Sequence, residues 1–229
     1  MFIEDVLDEG AAQCCRFNRW GTLLGVGCHD GRVTIWDFET RITARLFCGH
    51  VGPVTSISWS RDGRLLCTSS IDRMVIVWNV LTGESVRRER FETPVYSAAF
   101  HPRDCSLILV CPVFEVPIIF SIKTGQRTPL PIPYEQPPVA QAQAAVEAAL
   151  NTTKLRKNGG VPSTNVVAAW DRKGSRILVG TNKSQLLVTN LTHTTEGGIT
   201  LELAQTEKVG GPVRAIELAR GGRFFLLNC

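Results

Sequence analysis

Short apolar runs separated by polar or glycine-containing turns fill most of the 229-residue chain. In the stretch GHVGPVTSISWSRDGRLLCTSSIDRMVIVWN at 49–79, the runs VTSISW, RLLCTSS and MVIVW are each cut off by a turn; the piece opens on Gly49-His50 and closes on Trp78-Asn79. Runs this short, rich in β-branched residues and bounded by Gly, Asp and Ser, predict strands rather than helices. An aromatic or apolar anchor followed by a turn and a second apolar run recurs: FNRWGTLL from Phe17, WSRDGRLL from Trp59, FHPRDCSLIL from Phe100, WDRKGSRIL from Trp170 and LARGGRFFL from Leu218. The intervals are 42, 41, 70 and 48 residues. A second series follows the anchors: IWDF at 35–38, VWNV at 77–80, IFSI at 119–122 and VTNL at 188–191, the first three 42 apart.

A period near 42 with short strands and a Trp-Asp close predicts an all-β chain of propeller blades. Each blade is a small antiparallel sheet that cannot bury both faces alone, so neighbours must stack. In the quoted unit, His50, Thr68, Asp72 and Trp78 resemble the hydrogen-bonded tetrad of WD-repeat blades, in which the imidazole links a turn carboxylate to a hydroxyl and an indole. Asp72 lies between two strands, where an Asx turn suits it. A Ser-His-Asp type of catalytic reading is open to the same residues, but the repeat spacing already accounts for them. The first unit keeps Asp30 and Trp36 without a preceding histidine, and later units carry Phe120 and Thr189 in the tryptophan position.

The 70-residue interval holds the one segment outside the pattern. PLPIPYEQPP at 129–138 is proline-rich, and QAQAAVEAALNTTKLRKNGG runs alanine-rich into Lys154, Arg156 and Lys157. The expected organisation is an N-terminal lead-in at 1–13, blades one to three at 14–128, a Pro/Ala-rich loop insertion at 129–162, and blade four with the start of blade five at 163–229. The insertion reads as a solvated linker, with a partner-binding basic arm as the alternative.

Composition removes several function classes. The chain is 44% hydrophobic and 20% charged, ordinary for a globular protein. It has no apolar run long enough to span a membrane, and the opening MFIEDVLDEG lacks the basic flank and apolar core of a secretion signal. The eight cysteines include no CxxC pair, and His29, His50, His101 and His193 lie far apart. Reduced, mostly buried thiols and no metal site are therefore expected. The runs VTSISW, VYSAAF and VVAAW carry no carboxylate or histidine, so no catalytic residue, cofactor or small-molecule substrate is expected.

FNRWGTLLGVGCHDGRVTIWDFETR at 17–41 closely resembles the first blade of the retinoblastoma-binding protein 5 (Swd1) family of WD-repeat proteins. WSRDGRLLCTSS at 59–70, FHPRDCSLILVCP at 100–112, NVVAAWDRKGSRILVG at 165–180 and AIELARGGRFFLLN at 215–228 resemble it too. The resemblance implies a seven-bladed propeller and a non-catalytic scaffold subunit of a COMPASS or mixed-lineage-leukaemia-type complex that methylates lysine-4 of histone-3 in the nucleus. It implies a SET-domain methyltransferase, a second WD-repeat subunit and an Ash2-type subunit as partners, with the nucleosome a further candidate. The tail through which the family meets much of its complex has no counterpart in these residues. An interaction module of another assembly, in RNA processing or ubiquitin ligation, is the alternative, since the generic blade pattern fits both.

Arg19, Arg61, Arg172 and Arg220 each sit two residues past an anchor, and Arg103 sits three past Phe100, behind Pro102. Propeller geometry puts these turns on one rim, where Lys173 and Arg64 add to the charge; an acidic partner suits such a ring, and solvated turns are the plainer reading. The opposite rim, with Arg32, Arg73 and Lys183, is the competitor. Four units and a fifth begun at Leu218 do not close seven blades. The sequence reading therefore expects a fragment or incomplete product that associates through exposed blade faces when expressed alone. A monodisperse, cooperatively melting monomer on size-exclusion chromatography would refute that expectation.

Overall fold

In a computed structural model, residues 10–133, 166–193, 199–213, 215–218 and 225–228 are described. They form four four-stranded antiparallel sheets and a two-stranded one, each meandering in sequence order. Blade one is β1 (Ala12–Phe17), β2 (Leu23–Cys28), β3 (Val33–Asp37) and β4 (Ile42–Phe47). Blade two is β5 (Val54–Trp59), β6 (Leu65–Ser70), β7 (Met74–Asn79) and β8 (Ser85–Arg90). Blade three is β9 (Val95–Phe100), β10 (Leu107–Pro112), β11 (Ile118–Ser121) and β12 (Arg127–Pro129). Blade four is β13 (Val167–Trp170), β14 (Arg176–Gly180), β15 (Gln185–His193) and β16 (Ile199–Lys208). β17 (Ala215–Leu218) and β18 (Phe225–Asn228) pair as the first two strands of a fifth blade.

The apolar cores lie between the sheets. Val33, Ile35 and Phe47 of blade one close on Ile57, Leu66, Ile76 and Trp78 of blade two. Val75 and Val77, the alternate residues of β7, point the other way and join Phe100, Ile108, Val110 and Phe120 of blade three. Leu107, Leu109, Cys111 and Ile119 of blade three meet Trp170, Ile177, Val179 and Leu187 of blade four. Middle strands are thus buried on both faces and read as continuous apolar runs such as LILVCP, whereas outer β8, SVRRER, alternates between half-buried and exposed.

Polar contacts lock neighbouring inner strands together. The Trp59 indole N–H donates to the Arg16 carbonyl across blades one and two (2.9 Å), and the Trp170 indole to Ala99 across three and four (3.1 Å). Between blades two and three, the Ala98 and Phe100 amides donate to Ser56 Oγ and Ser58 Oγ (2.9 and 3.0 Å). The anchors Trp59, Phe100 and Trp170 are therefore each tied to the blade before their own.

Packing reaches past two of the expected boundaries. Ala12 pairs with Cys28, inside the expected lead-in, and Leu130 and Ile132 are buried in the third core, beyond residue 128, because Pro129 still pairs with Ile118. The rest of the expected insertion, with Lys154, Arg156 and Lys157, lies outside the described residues. The β15–β16 hairpin extends beyond the blade, with Leu191 buried and Ile199 and Leu201 packed against the third core.

Phe120 is fully buried in the core of blades two and three. Phe120→Ala is expected to destabilise by about 3–5 kcal/mol, and Phe120→Leu, which removes fewer buried carbons, by less than that, read from the urea midpoint.

Candidate functional site

Two polar constellations stand out. The first is inside blade two. His50 precedes β5, Thr68 lies on β6, Asp72 in the β6–β7 turn and Trp78 on β7. The Trp78 indole N–H donates to Thr68 Oγ1 (2.9 Å), which stands 2.8 Å from His50 Nε2; His50 Nδ1 lies 3.0 Å from Asp72 Oδ2. With Nδ1–H donating to the carboxylate, Nε2 accepts the Thr68 hydroxyl proton, so one directional chain runs from indole to carboxylate. The Val51 amide also donates to Asp72 Oδ2 and the Met74 amide to Oδ1, both at 2.9 Å. Burial alone would raise the Asp72 carboxyl, but the hydrogen bonds from His50, Val51 and Met74 outweigh it and hold it below its ordinary value. Thr68 is 0% exposed and its oxygen is saturated, so it offers no face to a substrate. Chemically this network joins strands; it does not present a nucleophile.

The other blades depart from it. In blade one, Asp30 accepts from Arg32, at Oδ2 from Nε (2.6 Å) and at Oδ1 from the amide (3.1 Å), while Trp36 is buried without a histidine counterpart. In blade three Phe120 has no polar atom to join such a network; it fills volume, with the Arg87 guanidinium 5.7 Å from its ring centroid. In blade four Thr189 is buried at a bulge in β15, and its hydroxyl has no hydrogen-bond partner among the described residues.

The second constellation is at the end of the blades formed by their first turns. Asn18-Arg19-Trp20-Gly21, Ser60-Arg61-Asp62-Gly63 and Asp171-Arg172-Lys173-Gly174 are each closed by an amide of the glycine donating to the carbonyl of the first residue (3.2, 3.0 and 3.2 Å). The glycines have φ of 75°, 65° and 78°, which explains why the fourth position is glycine. The first side chain caps the turn: Asn18 Oδ1 accepts from Thr22 and Leu23, Ser60 Oγ from Leu65, and Asp171 Oδ1 from Arg176. That leaves the second position, an arginine each time, pointing to solvent.

Blade three does this differently. His101 Nδ1 accepts from the amides of Arg103 (3.2 Å) and Asp104 (2.8 Å), which places the ring proton on Nε2, donating to the Gly174 carbonyl (2.9 Å). The ring also packs edge-on against Trp170. His101 thus ties the arginine turn of blade three to that of blade four, a role invisible in a list of scattered histidines.

Arg19, Arg61, Arg103 and Arg172 all line one open cleft of about 1260 Å³. Lys173 joins them, as do Arg16 and Arg176, which no repeat offset singles out because they lie on strands beside the turns. Arg64 does not line the cleft, and Arg220 lies outside the described residues. Asp171 is the one carboxylate in the lining. Arg32, Arg73 and Lys183 occupy second turns at the opposite end, where Asp30 offsets the charge of Arg32.

Among the described residues no group of three or more His, Cys, Asp or Glu is placed to hold a metal ion, and no helix is long and apolar enough to cross a membrane. Burial raises the Cys67 and Cys111 thiols and pushes Cys14 up to about 12, so all three stay protonated and unreactive at neutral pH.

Two outcomes follow from this geometry. His50→Ala strands Asp72 and the Thr68–Trp78 pair and is expected to cost about 1–3 kcal/mol; His101→Phe keeps the packing on Trp170 but orphans the Arg103 and Asp104 amides and the Gly174 carbonyl, at a similar cost. Both are read as denaturation midpoints. The lowered Asp72 value means its stabilisation is full above the unfolded carboxylate pKa of about 3.9 and is lost as pH falls through the folded value. The melting-temperature gap between the wild type and Asp72→Asn should therefore narrow on acidification below about pH 4.

The profile of the WD domain, G-beta repeat (WD40) matches residues 8–37 and 42–79. The Retinoblastoma-binding protein 5 homolog of Drosophila melanogaster is 36% identical over 96% of this chain and 40% of its own length. The Set1 complex component swd1 of Schizosaccharomyces pombe is 32% identical over 52% of this chain and 30% of its own length. The crystal structure of the Cps50 (Swd1) β-propeller domain of Myceliophteria thermophila superposes with a TM-score of 0.77 at 29% identity, over 99% of this chain and 64% of that one. The chain spans about 40% of the length of the fly relative. With the blade repeat, the inter-blade cores and these similarities together, the chain belongs to the WD-repeat β-propeller family that includes retinoblastoma-binding protein 5 and Swd1.

Proposed function

We propose that the chain acts as a non-catalytic WD-repeat scaffold in a Set1-type complex that methylates lysine-4 of histone-3, and that it works in the nucleus. The observation that carries this reading is the likeness, in sequence and in blade geometry, to proteins named as Set1 complex component and Swd1 β-propeller. The geometry supports it: the polar network of blade two is buried and satisfied, while basic side chains are displayed on turns. In this reading His50, Thr68, Asp72 and Trp78 hold blade two, Asp30 and Trp36 serve blade one, and the part of the expected insertion that follows Ile132 is a loop between blades three and four. Arg19, Arg61, Arg103 and Arg172, with Arg220 by repeat position, form the face that meets an acidic partner. A SET-domain subunit, a second WD-repeat subunit and an Ash2-type subunit are the proposed company.

Affinity purification of the tagged chain from nuclear extract, followed by mass spectrometry, is expected to recover a SET-domain methyltransferase. Recovery of ubiquitin-ligase or RNA-processing subunits without a SET-domain protein would overturn the assignment.

A further inference from the structure

The arginine-bearing turns differ from a generic basic surface in shape and in pairing. Arg19, Arg61, Arg103 and Arg172 come from four successive blades yet face one cleft. Among the described residues no carboxylate stands within ion-pair distance of Arg19, Arg61 or Arg103. Asp171 accepts from the Arg176 amide (3.1 Å) and the Ser175 hydroxyl (3.3 Å) and keeps its negative charge. With Arg16, Arg19, Arg61, Arg103, Arg172, Lys173 and Arg176 against that one carboxylate, the lining carries an excess of positive charge.

Its dimensions narrow the ligand. About 1260 Å³ exceeds the roughly 300–1,000 Å³ of ordinary small-molecule sites, and the cleft is open rather than enclosed. Packed sheets stand roughly 10 Å apart and an extended chain covers that distance in about three residues, so a segment of about ten residues passes all four turns. An extended single strand of polypeptide is slender enough to follow a cleft lined by successive blades along its length.

An exposed apolar group stands beside the cleft, outside its lining. Trp20 is 60% exposed and lies across Gly63 of the next turn, where an added Cβ would collide with the indole ring. It stands beside Arg19 in one turn and over the turn that carries Arg61. Trp59 and Phe100 line the cleft below. Guanidinium forks suit carboxylates in pairs, and an exposed indole suits an aromatic or long aliphatic side chain.

We propose that this cleft is the docking site of an extended acidic segment of a partner protein, with carboxylates on Arg61 and Arg103 and an apolar side chain on Trp20 beside it. The proposal rests on the reading of the arginine face as an acidic-partner surface and names the partner's chemistry.

The test is fluorescence anisotropy on the purified full chain with a labelled Glu-rich peptide of about ten residues carrying one Phe, against a charge-matched DNA duplex and a Lys-for-Glu peptide. Arg61→Glu combined with Arg103→Glu is expected to weaken the acidic peptide about tenfold or more, and the paired Lys variant by less, since charge is kept but the fork is lost. Trp20→Ala should weaken the Phe-bearing peptide about fivefold and leave a Phe-to-Ala peptide unchanged. All these side chains sit on exposed turns, so an unaltered melting curve confirms that each variant is folded. Tighter binding of the duplex than of the peptide, lost in the charge-reversal variant, would overturn the peptide assignment while leaving the arginine face in place. Binding of neither ligand, or binding indifferent to the arginines, would overturn both.

Discussion

Every apolar core among the described residues is shared between two sheets, and the rest of the structure follows from that constraint. No blade encloses an interior of its own, so the alternate residues of a middle strand must satisfy two different neighbours. On β7, Val75 and Val77 serve blade three while Ile76 and Trp78 serve blade one. A slip of one residue would exchange the two sets and ruin both cores at once. Register is therefore specified twice over in the middle strands of blades two and three, and the inner strands add a polar check through Trp59, Ser56, Ser58 and Trp170.

Within that frame the hydrogen-bond network of blade two is a local reinforcement rather than a requirement repeated in every unit. Blade three replaces the tryptophan by Phe120 and relies on packing, and blade four leaves the Thr189 hydroxyl without a partner among the described residues. The polar tie on the arginine face is distributed in the same uneven way. Three turns are capped by their own first residue, whereas His101 caps its turn and also reaches Gly174 of the next blade.

The blade architecture was legible in the chain because strands buried on both faces leave unbroken apolar runs and recur at a fixed interval. His50, Thr68, Asp72 and Trp78 were legible because their spacing is that of a repeat unit, and the structure brings these four side chains within hydrogen-bond reach. Less was visible of the cleft. The offset of Arg19, Arg61 and Arg172 could be counted, but the reason for it is a backbone matter: the second position of a turn closed by a left-handed glycine. Arg16 and Arg176 face the same space from strands, and no periodicity marks them. The bridging role of His101 depends on which blade lies beside it, which is tertiary information. The packed residues Leu130 and Ile132 were hidden by prolines that read as the start of a loop.

The turn slot that holds each arginine touches no core, caps nothing and asks only for a backbone that almost any residue can adopt. Scaffold and surface are consequently written in different positions of the same repeat. Drift in the strands is policed by two neighbours, while the side chain at the slot can change blade by blade without disturbing the fold. The electrostatic character of this end of the molecule is thus free to be rewritten in evolution or by design one turn at a time, with the sheets serving as an inert carrier for whatever recognition code the slots spell.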